Sequence, residues 1–194
     1  MINKEYVSDA KLKKIMTYIN GMNHSEMIRM MFFCSMNGMR CINFRCLQIK
    51  DVFNNDGSVK NVIELASCKN KGKFGAQYYV NNQFKKEFET YYEYMKTKYG
   101  ENLTPDTYLF TSQKMGKPFN RVSICRIFHD IYNNFGIEGA SHLGRHMFIT
   151  KMINNGVNPF LVKTLANHKN IGTTQRYYNT DVNLLLNAVE LARI

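Results

Sequence analysis

No apolar run in this 194-residue chain approaches the ~18 residues that a membrane-crossing helix needs. The opening MINKEYVSDAKLKK has no apolar core of the kind a secretory signal carries, so export is not expected and a cytoplasmic setting is. Acidic residues are scarce: 15 Asp and Glu face 26 Lys and Arg, a formal charge of +11. An excess of that size favours a polyanionic partner, because each neutralised phosphate releases condensed counterions. Paired cysteines are missing too. The five cysteines, Cys34, Cys41, Cys46, Cys68 and Cys125, form no CxxC pair and are odd in number, which argues against a disulfide framework and against zinc. Reduced, mostly buried thiols are expected, with no metal and no cofactor.

What remains is an ordinary globular composition, 44% hydrophobic and 21% charged, long enough to bury a core. One domain over 1–194 is expected. Ser8 can cap a helix through Asn20 that Gly21 ends. Ser25 opens a second, apolar on most sides through Met27, Ile28, Met30, Met31, Phe32, Phe33 and Met36, and therefore central. Asn37-Gly38 breaks it, and a short turn or helix follows to about Leu47. Gln48 to Asn54, Val59 to Ser67 and Ala76 to Val80 read as three antiparallel strands, with turns at Asn54-Asn55-Asp56-Gly57 and at the basic KNKGKFG. Helices follow over Phe84–Tyr99, Asn120–Asn134, 142–155, 158–167 and 171–178, then an apolar terminal helix from Asp181 to Ala192. The class is α+β, mainly α-helical, with a small three-stranded sheet.

The stretch richest in chemistry is SHLGRHMFITKMINNGVNPFLVKTLANHKNIGTTQRYYN, Ser141 to Asn179. It carries His142, Arg145, His168 and Tyr177, residue types suited to covalent attack on a phosphodiester. Such attack needs cations or donors around the non-bridging oxygens, a nucleophile and a proton carrier. Arginine presents a fixed planar fork to two phosphate oxygens, histidine donates or accepts near neutral pH, and a phenol can form an ester. Taken singly these residues have plainer readings: a lone histidine is usually structural, and His129 and His146 are read that way.

The spacing carries more than the residue types. An HxxR pair, His142 and Arg145, is followed 23 residues later by His168 and 9 further by Tyr177, which ends the string Thr173-Thr174-Gln175-Arg176. In these gaps and that string the chain resembles the catalytic end of tyrosine recombinases, the phage integrase family. The resemblance extends from Ser8 to about Ala188. SMNGMRCINFRCL resembles the segment that supplies the family's first arginine, here Arg40, and the basic hairpin resembles the one that supplies a lysine, matched by Lys71, with Lys69 as runner-up. Three departures stand out. Asn43 replaces a common acidic residue three positions after the arginine, Gly144 a common leucine, and Ala166-Asn167 a common Leu-Gly.

The resemblance implies the recombinase catalytic-domain fold and a metal-free mechanism. Tyr177, rather than the adjacent Tyr178, attacks the scissile phosphate to give a 3′-phosphotyrosine and a free 5′-hydroxyl. Arg40, Arg145 and His168 hold the phosphate, His142 assists the phenol proton, and Lys71 protonates the departing oxygen. Double-stranded DNA is the expected partner, with Lys69, Lys73, Arg121 and Arg126 as candidate backbone contacts, and a monomer in solution that forms a homo-tetramer on paired sites. The terminal helix, 181–194, is expected to dock on its own domain or on a neighbouring protomer. No N-terminal core-binding domain is visible before Lys4. The chain therefore reads as the catalytic half of a typical relative, either a short form like the fimbrial-type invertases or an excised domain, and weak, salt-sensitive DNA binding is expected. The competing readings are a DNA-binding accessory protein without catalysis and a type IB topoisomerase.

Overall fold

In the computed structural model the described residues are 7–66, 75–111, 116–177 and 189–190. The chain divides into two compact units, Met1–Phe148 and Ile149–Ile194.

The first unit is built around the apolar helix the sequence marks as central. Helix α1 (Asp9–Asn20) starts at Ser8, whose side chain accepts the Lys11 N–H, and ends at Gly21. It lays Ile15 and Ile19 on α2 (Ser25–Met36), which buries Ile28, Met30, Met31, Phe32 and Cys34. Two bonds from Arg29 to the Glu87 carboxylate, Nε at 2.9 Å and Nη2 at 2.7 Å, tie α2 to α5 (Asn82–Tyr99). Asn81 caps α5, which buries Phe84, Phe88, Tyr91 and Met95, a one-sided stripe at helical spacing. Helix α6 (Arg121–Asn133), capped by Asn120, buries Ile124, Phe128, Ile131 and Tyr132, and packs on α1 and on the short α3 (Cys41–Phe44). The Phe32 and Phe128 rings stack with centroids 5.8 Å apart, and Phe44 meets Phe110 edge-on. Aromatic side chains thus fill the middle, each removing a large apolar area from water.

The sheet has two strands among the described residues, not the expected three. β1 (Val62–Leu65) pairs antiparallel with β2 (Ala76–Tyr79) in the register Val62↔Tyr79 to Leu65↔Ala76. Ile63, Leu65, Ala76 and Tyr78 face the core, while Glu64 and Gln77 face solvent and share a 2.8 Å bond. The segment expected to be the first strand instead folds as the single helical turn α4 (Ile49–Val52). The reason is where its backbone donors go. The Ile49 and Lys50 N–H groups bond to the Thr107 and Pro105 carbonyls, and the Asp51 carboxylate accepts the Gln48 N–H, closing a turn. Only isolated bridges, Gln48↔Tyr108 and Phe53↔Val59, are left of strand pairing there.

Helix α7 (Leu143–Asn154) begins in the first unit, where its opening turn lies directly on the end of α2. A Cβ at Gly144 would stand 2.5 Å from the Ser35 Oγ and 3.0 Å from the Ser35 carbonyl carbon. The departure from leucine at this position is therefore a packing requirement: backbone meets backbone with no room for a side chain. Gly144→Leu is expected to destabilise by roughly 2–3 kcal/mol, a drop of about 5–10 °C in a thermal melt. Gly38 is equally constrained, at φ +83° with its missing Cβ 2.6 Å from the Phe148 ring.

In the second unit α8 (Pro159–Leu165) starts at Asn158, whose side chain accepts the Phe160 N–H, with proline pre-set at the first helical position. Helix α9 (Ile171–Gln175) starts at Asn170, which accepts the Gly172 N–H. The two helices pack on each other, with Val162 and Ala166 buried.

The described cysteines are free thiols: Cys34 and Cys41 buried, Cys46 and Cys125 half-buried. Cys41 lies beside Cys125 and Ser141, and burial pushes its thiol up to about 12. Because the thiolate is the nucleophile, native alkylation with iodoacetamide at pH 8 is expected to label Cys46 and Cys125 well before Cys41, read by peptide mass spectrometry. Cys68 lies outside the described residues.

Candidate active site

Two arginines are brought together in the first unit. Arg40 stands at the N-cap of α3 in extended conformation (φ −76°, ψ 141°), just past the Gly38 turn. Arg145, on the opening turn of α7, is 5% exposed and donates from Nη1 to the Gly38 carbonyl at 2.6 Å, two residues before Arg40. Both positive charges bear on one phenol, Tyr78 of β2. A guanidinium this buried keeps its charge, so its geometry rather than its titration is what the fold controls.

His142 immediately precedes α7 and is exposed, its carbonyl accepting the His146 N–H at 3.0 Å. Position 142 is thus one helical turn from Arg145, on the same side of the chain. Cys125 Sγ lies 3.3 Å from Ser141 Oγ, and Ser35 Oγ donates to the Ser141 carbonyl at 3.0 Å, so the residue before His142 is held from two sides. Asn43 is fully buried, and neither atom of its side-chain amide has a hydrogen-bond partner among the described residues. An acidic residue there would be a buried carboxylate; the amide avoids that charge at the cost of two unpaired polar atoms.

The second unit brings His168 and Tyr177 together. The chain leaves α8 through Asn167 at φ +48°, in the left-handed region that asparagine tolerates best after glycine. This turn lets the His168 N–H bond to the Lys163 carbonyl at 2.9 Å. The His168 imidazole then meets Thr174 Oγ1 through Nδ1 at 2.9 Å and stacks on the Tyr177 ring, centroids 6.4 Å apart and planes 24° from parallel. Thr174 is fully buried, and its carbonyl accepts the Tyr177 N–H at 3.0 Å. One threonine therefore locates both the imidazole and the phenol. In the sequence Thr174 is only one letter of a string; its burial at the end of the short α9 is the physical content of that string.

Thr174→Val keeps the shape and removes the hydroxyl. It is expected to cost about 1 kcal/mol of stability and to change the His168 tautomer balance, visible as altered imidazole ¹⁵N shifts. Unchanged shifts would show that the hydroxyl does not orient the ring.

Arg121 and Arg126 are both exposed on α6. Lys69, Lys71 and Lys73 lie outside the described residues, as do Tyr178 and, apart from residues 189–190, the terminal segment 181–194. His129 is exposed beside Asp130, and His146 is half-buried.

The phage integrase family model matches residues 5–183, and the chain belongs to that family. It is 28% identical over 142 residues to the tyrosine recombinase XerC of Lactobacillus leichmannii, covering 72% of this chain and 45% of that protein. It is 24% identical over 189 residues to the tyrosine recombinase XerD of Rickettsia prowazekii, covering 92% of this chain and 60% of that one. The chain thus spans about half the length of the curated relatives it matches. Among solved structures, XerH recombinase in a pre-cleavage complex with its difH substrate superposes with a TM-score of 0.73 at 19% identity, over 97% of this chain and 54% of that one. The Tn1549 transposon integrase in complex with a circular intermediate DNA gives 0.70 at 19% identity, over 98% of this chain and 66% of that one. The fold is that of the tyrosine recombinase catalytic domain, mainly helical with a small antiparallel sheet.

Proposed function

We propose that this chain is the catalytic portion of a site-specific DNA recombinase of integrase or invertase kind, which breaks and rejoins DNA strands through a 3′-phosphotyrosine. The observation that supports the reading most is the buried Arg145, bonded to the Gly38 carbonyl two residues before Arg40. In this reading two fixed cations, Arg40 and Arg145, meet the non-bridging oxygens of a phosphodiester and oppose the charge that grows there during attack.

Tyr177 is the nucleophile of this mechanism, and Arg40, Arg145 and His168 hold the phosphate it attacks. If the Thr174 hydroxyl donates to His168 Nδ1, the imidazole carries its proton on Nε2 and can donate to a phosphate oxygen. His142, exposed on its loop, assists the phenol proton, and Lys71 supplies a proton to the departing 5′-oxygen. One ester replaces another, so a 5′-hydroxyl from a second duplex reverses the step without ATP. Double-stranded DNA is the substrate, recombination proceeds in a tetramer on paired sites, and the reaction takes place in the cytoplasm. Among the described residues no helix is long and apolar enough to cross a membrane.

The test is a nicked suicide duplex drawn from repeats that flank the coding region, incubated with the full gene product. An SDS-resistant protein–DNA adduct is expected. A gene product that binds such a site and leaves no adduct on any nicked version of it is an accessory protein, and the reading fails.

A further inference from the structure

We propose that Ser35 is a positioning residue for Arg145: its buried hydroxyl closes a ring of hydrogen bonds that fixes where the opening turn of α7 carries the guanidinium. This deepens, and rests on, the reading that Arg145 holds the scissile phosphate.

Ser35 lies in the last turn of α2 and is 0% exposed. A hydroxyl on a helix ordinarily has a partner at hand in the carbonyl four residues earlier. Thr17, Thr90, Thr97 and Thr164 all use it, donating to the carbonyls of Lys13, Lys86, Glu93 and Phe160. Ser35 instead sends its one proton to the Ser141 carbonyl, 3.0 Å away and 106 residues on. Packing asks only for a small side chain here, since the Ser35 Oγ stands 2.5 Å from where a Cβ on Gly144 would be. Alanine would meet that demand, so what the hydroxyl adds is the bond and not the volume.

The bond completes a circuit. Ser141 lies one helical turn before Arg145, whose Nη1 donates to the Gly38 carbonyl at 2.6 Å. The Gly38 N–H donates in turn to the Ser35 carbonyl at 3.0 Å. Ser35 thus grips both ends: its main-chain oxygen sets the turn that offers Gly38, and its side chain sets the turn that brings Arg145 there. With the circuit closed, the α7 opening cannot shift along α2 without leaving a buried acceptor unpaired, which is costly. Opened at Ser35, the side-chain hold on Ser141 among the described residues falls to the 3.3 Å contact between Cys125 Sγ and Ser141 Oγ, the weak bond of a thiol. A catalytic group displaced by a fraction of an ångström loses rate without losing its charge.

The test compares Ser35→Ala with Tyr91→Phe, both in the full gene product. Tyr91→Phe deletes a bond of the same kind elsewhere, from a buried hydroxyl on α5 to the Leu109 carbonyl at 2.7 Å. Each is expected to lower the melting temperature by about 2–4 °C. They part in two measurements. By NMR, exchange with water of the Arg145 side-chain N–H signal, assigned through Arg145→Lys, is expected to quicken on the order of tenfold in Ser35→Ala and to keep the wild-type rate in Tyr91→Phe. On a nicked suicide duplex at saturating protein, the single-turnover rate of adduct formation is expected to fall on the order of tenfold in Ser35→Ala, with unchanged DNA affinity, and to hold in Tyr91→Phe. Because Ser35 acts through Arg145, adding Ser35→Ala to Arg145→Lys should cost well under that factor. Equal Arg145 exchange in the two variants overturns the proposal. So does an adduct rate in Ser35→Ala no lower than in Tyr91→Phe, or a full second loss on the Arg145→Lys background. A wild type that forms no adduct strikes the recombinase reading instead, and the exchange measurement still decides whether Ser35 fixes Arg145.

Discussion

Tyr177→Phe abolishes the covalent protein–DNA adduct, a loss of more than about three orders of magnitude, while Tyr178→Phe leaves it in place. The substitution deletes one oxygen atom. The ring that stacks on His168 and the N–H bond to the Thr174 carbonyl both survive, so the helix end is expected to keep its shape. DNA binding, read by mobility shift, should be unchanged, because backbone contacts and counterion release do not involve the phenol. The adjacent tyrosine is the internal control. An adduct that persists in Tyr177→Phe and disappears in Tyr178→Phe would move the nucleophile by one residue, and with it the role of the His168 stack.

Arg145→Ala has the second largest effect, and it is twofold. The side chain is 5% exposed and bonded to a main-chain carbonyl, so its removal leaves a cavity and an orphaned acceptor. A cost of roughly 2–4 kcal/mol is expected, seen as a shifted denaturant midpoint with unchanged slope. Adduct formation should fall further than stability explains. Arg145→Lys separates the two contributions: it retains the charge and much of the volume but loses the planar fork. Its expected signature is a modest stability change with adduct formation down by about a hundredfold or more. Wild-type adduct rates in Arg145→Lys would show that only a charge is needed there.

Much of this was legible beforehand, for identifiable physical reasons. The cap at Ser8 is local chemistry, and α2 announced its burial by being apolar on nearly every side. The described candidates Arg40, His142, Arg145, His168 and Tyr177 all lie at or beside helix ends. The strand expected over Gln48–Asn54 failed because its backbone donors are taken by carbonyls nearly sixty residues away, at Pro105 and Thr107, and no local pattern reports that. The departures Gly144 and Asn167 were visible as oddities, and their causes, a backbone crossing and a positive φ, are three-dimensional.

The anchor of Arg145 is a carbonyl of the polypeptide itself, at Gly38. Every amino acid carries that atom, so no exchange of side chains at position 38 can delete it; mutation reaches it only by bending the loop. Lineages are then free to rewrite the surrounding chemistry while the grip on the guanidinium is inherited with the main chain, so long as the residue at 38 still tolerates the turn.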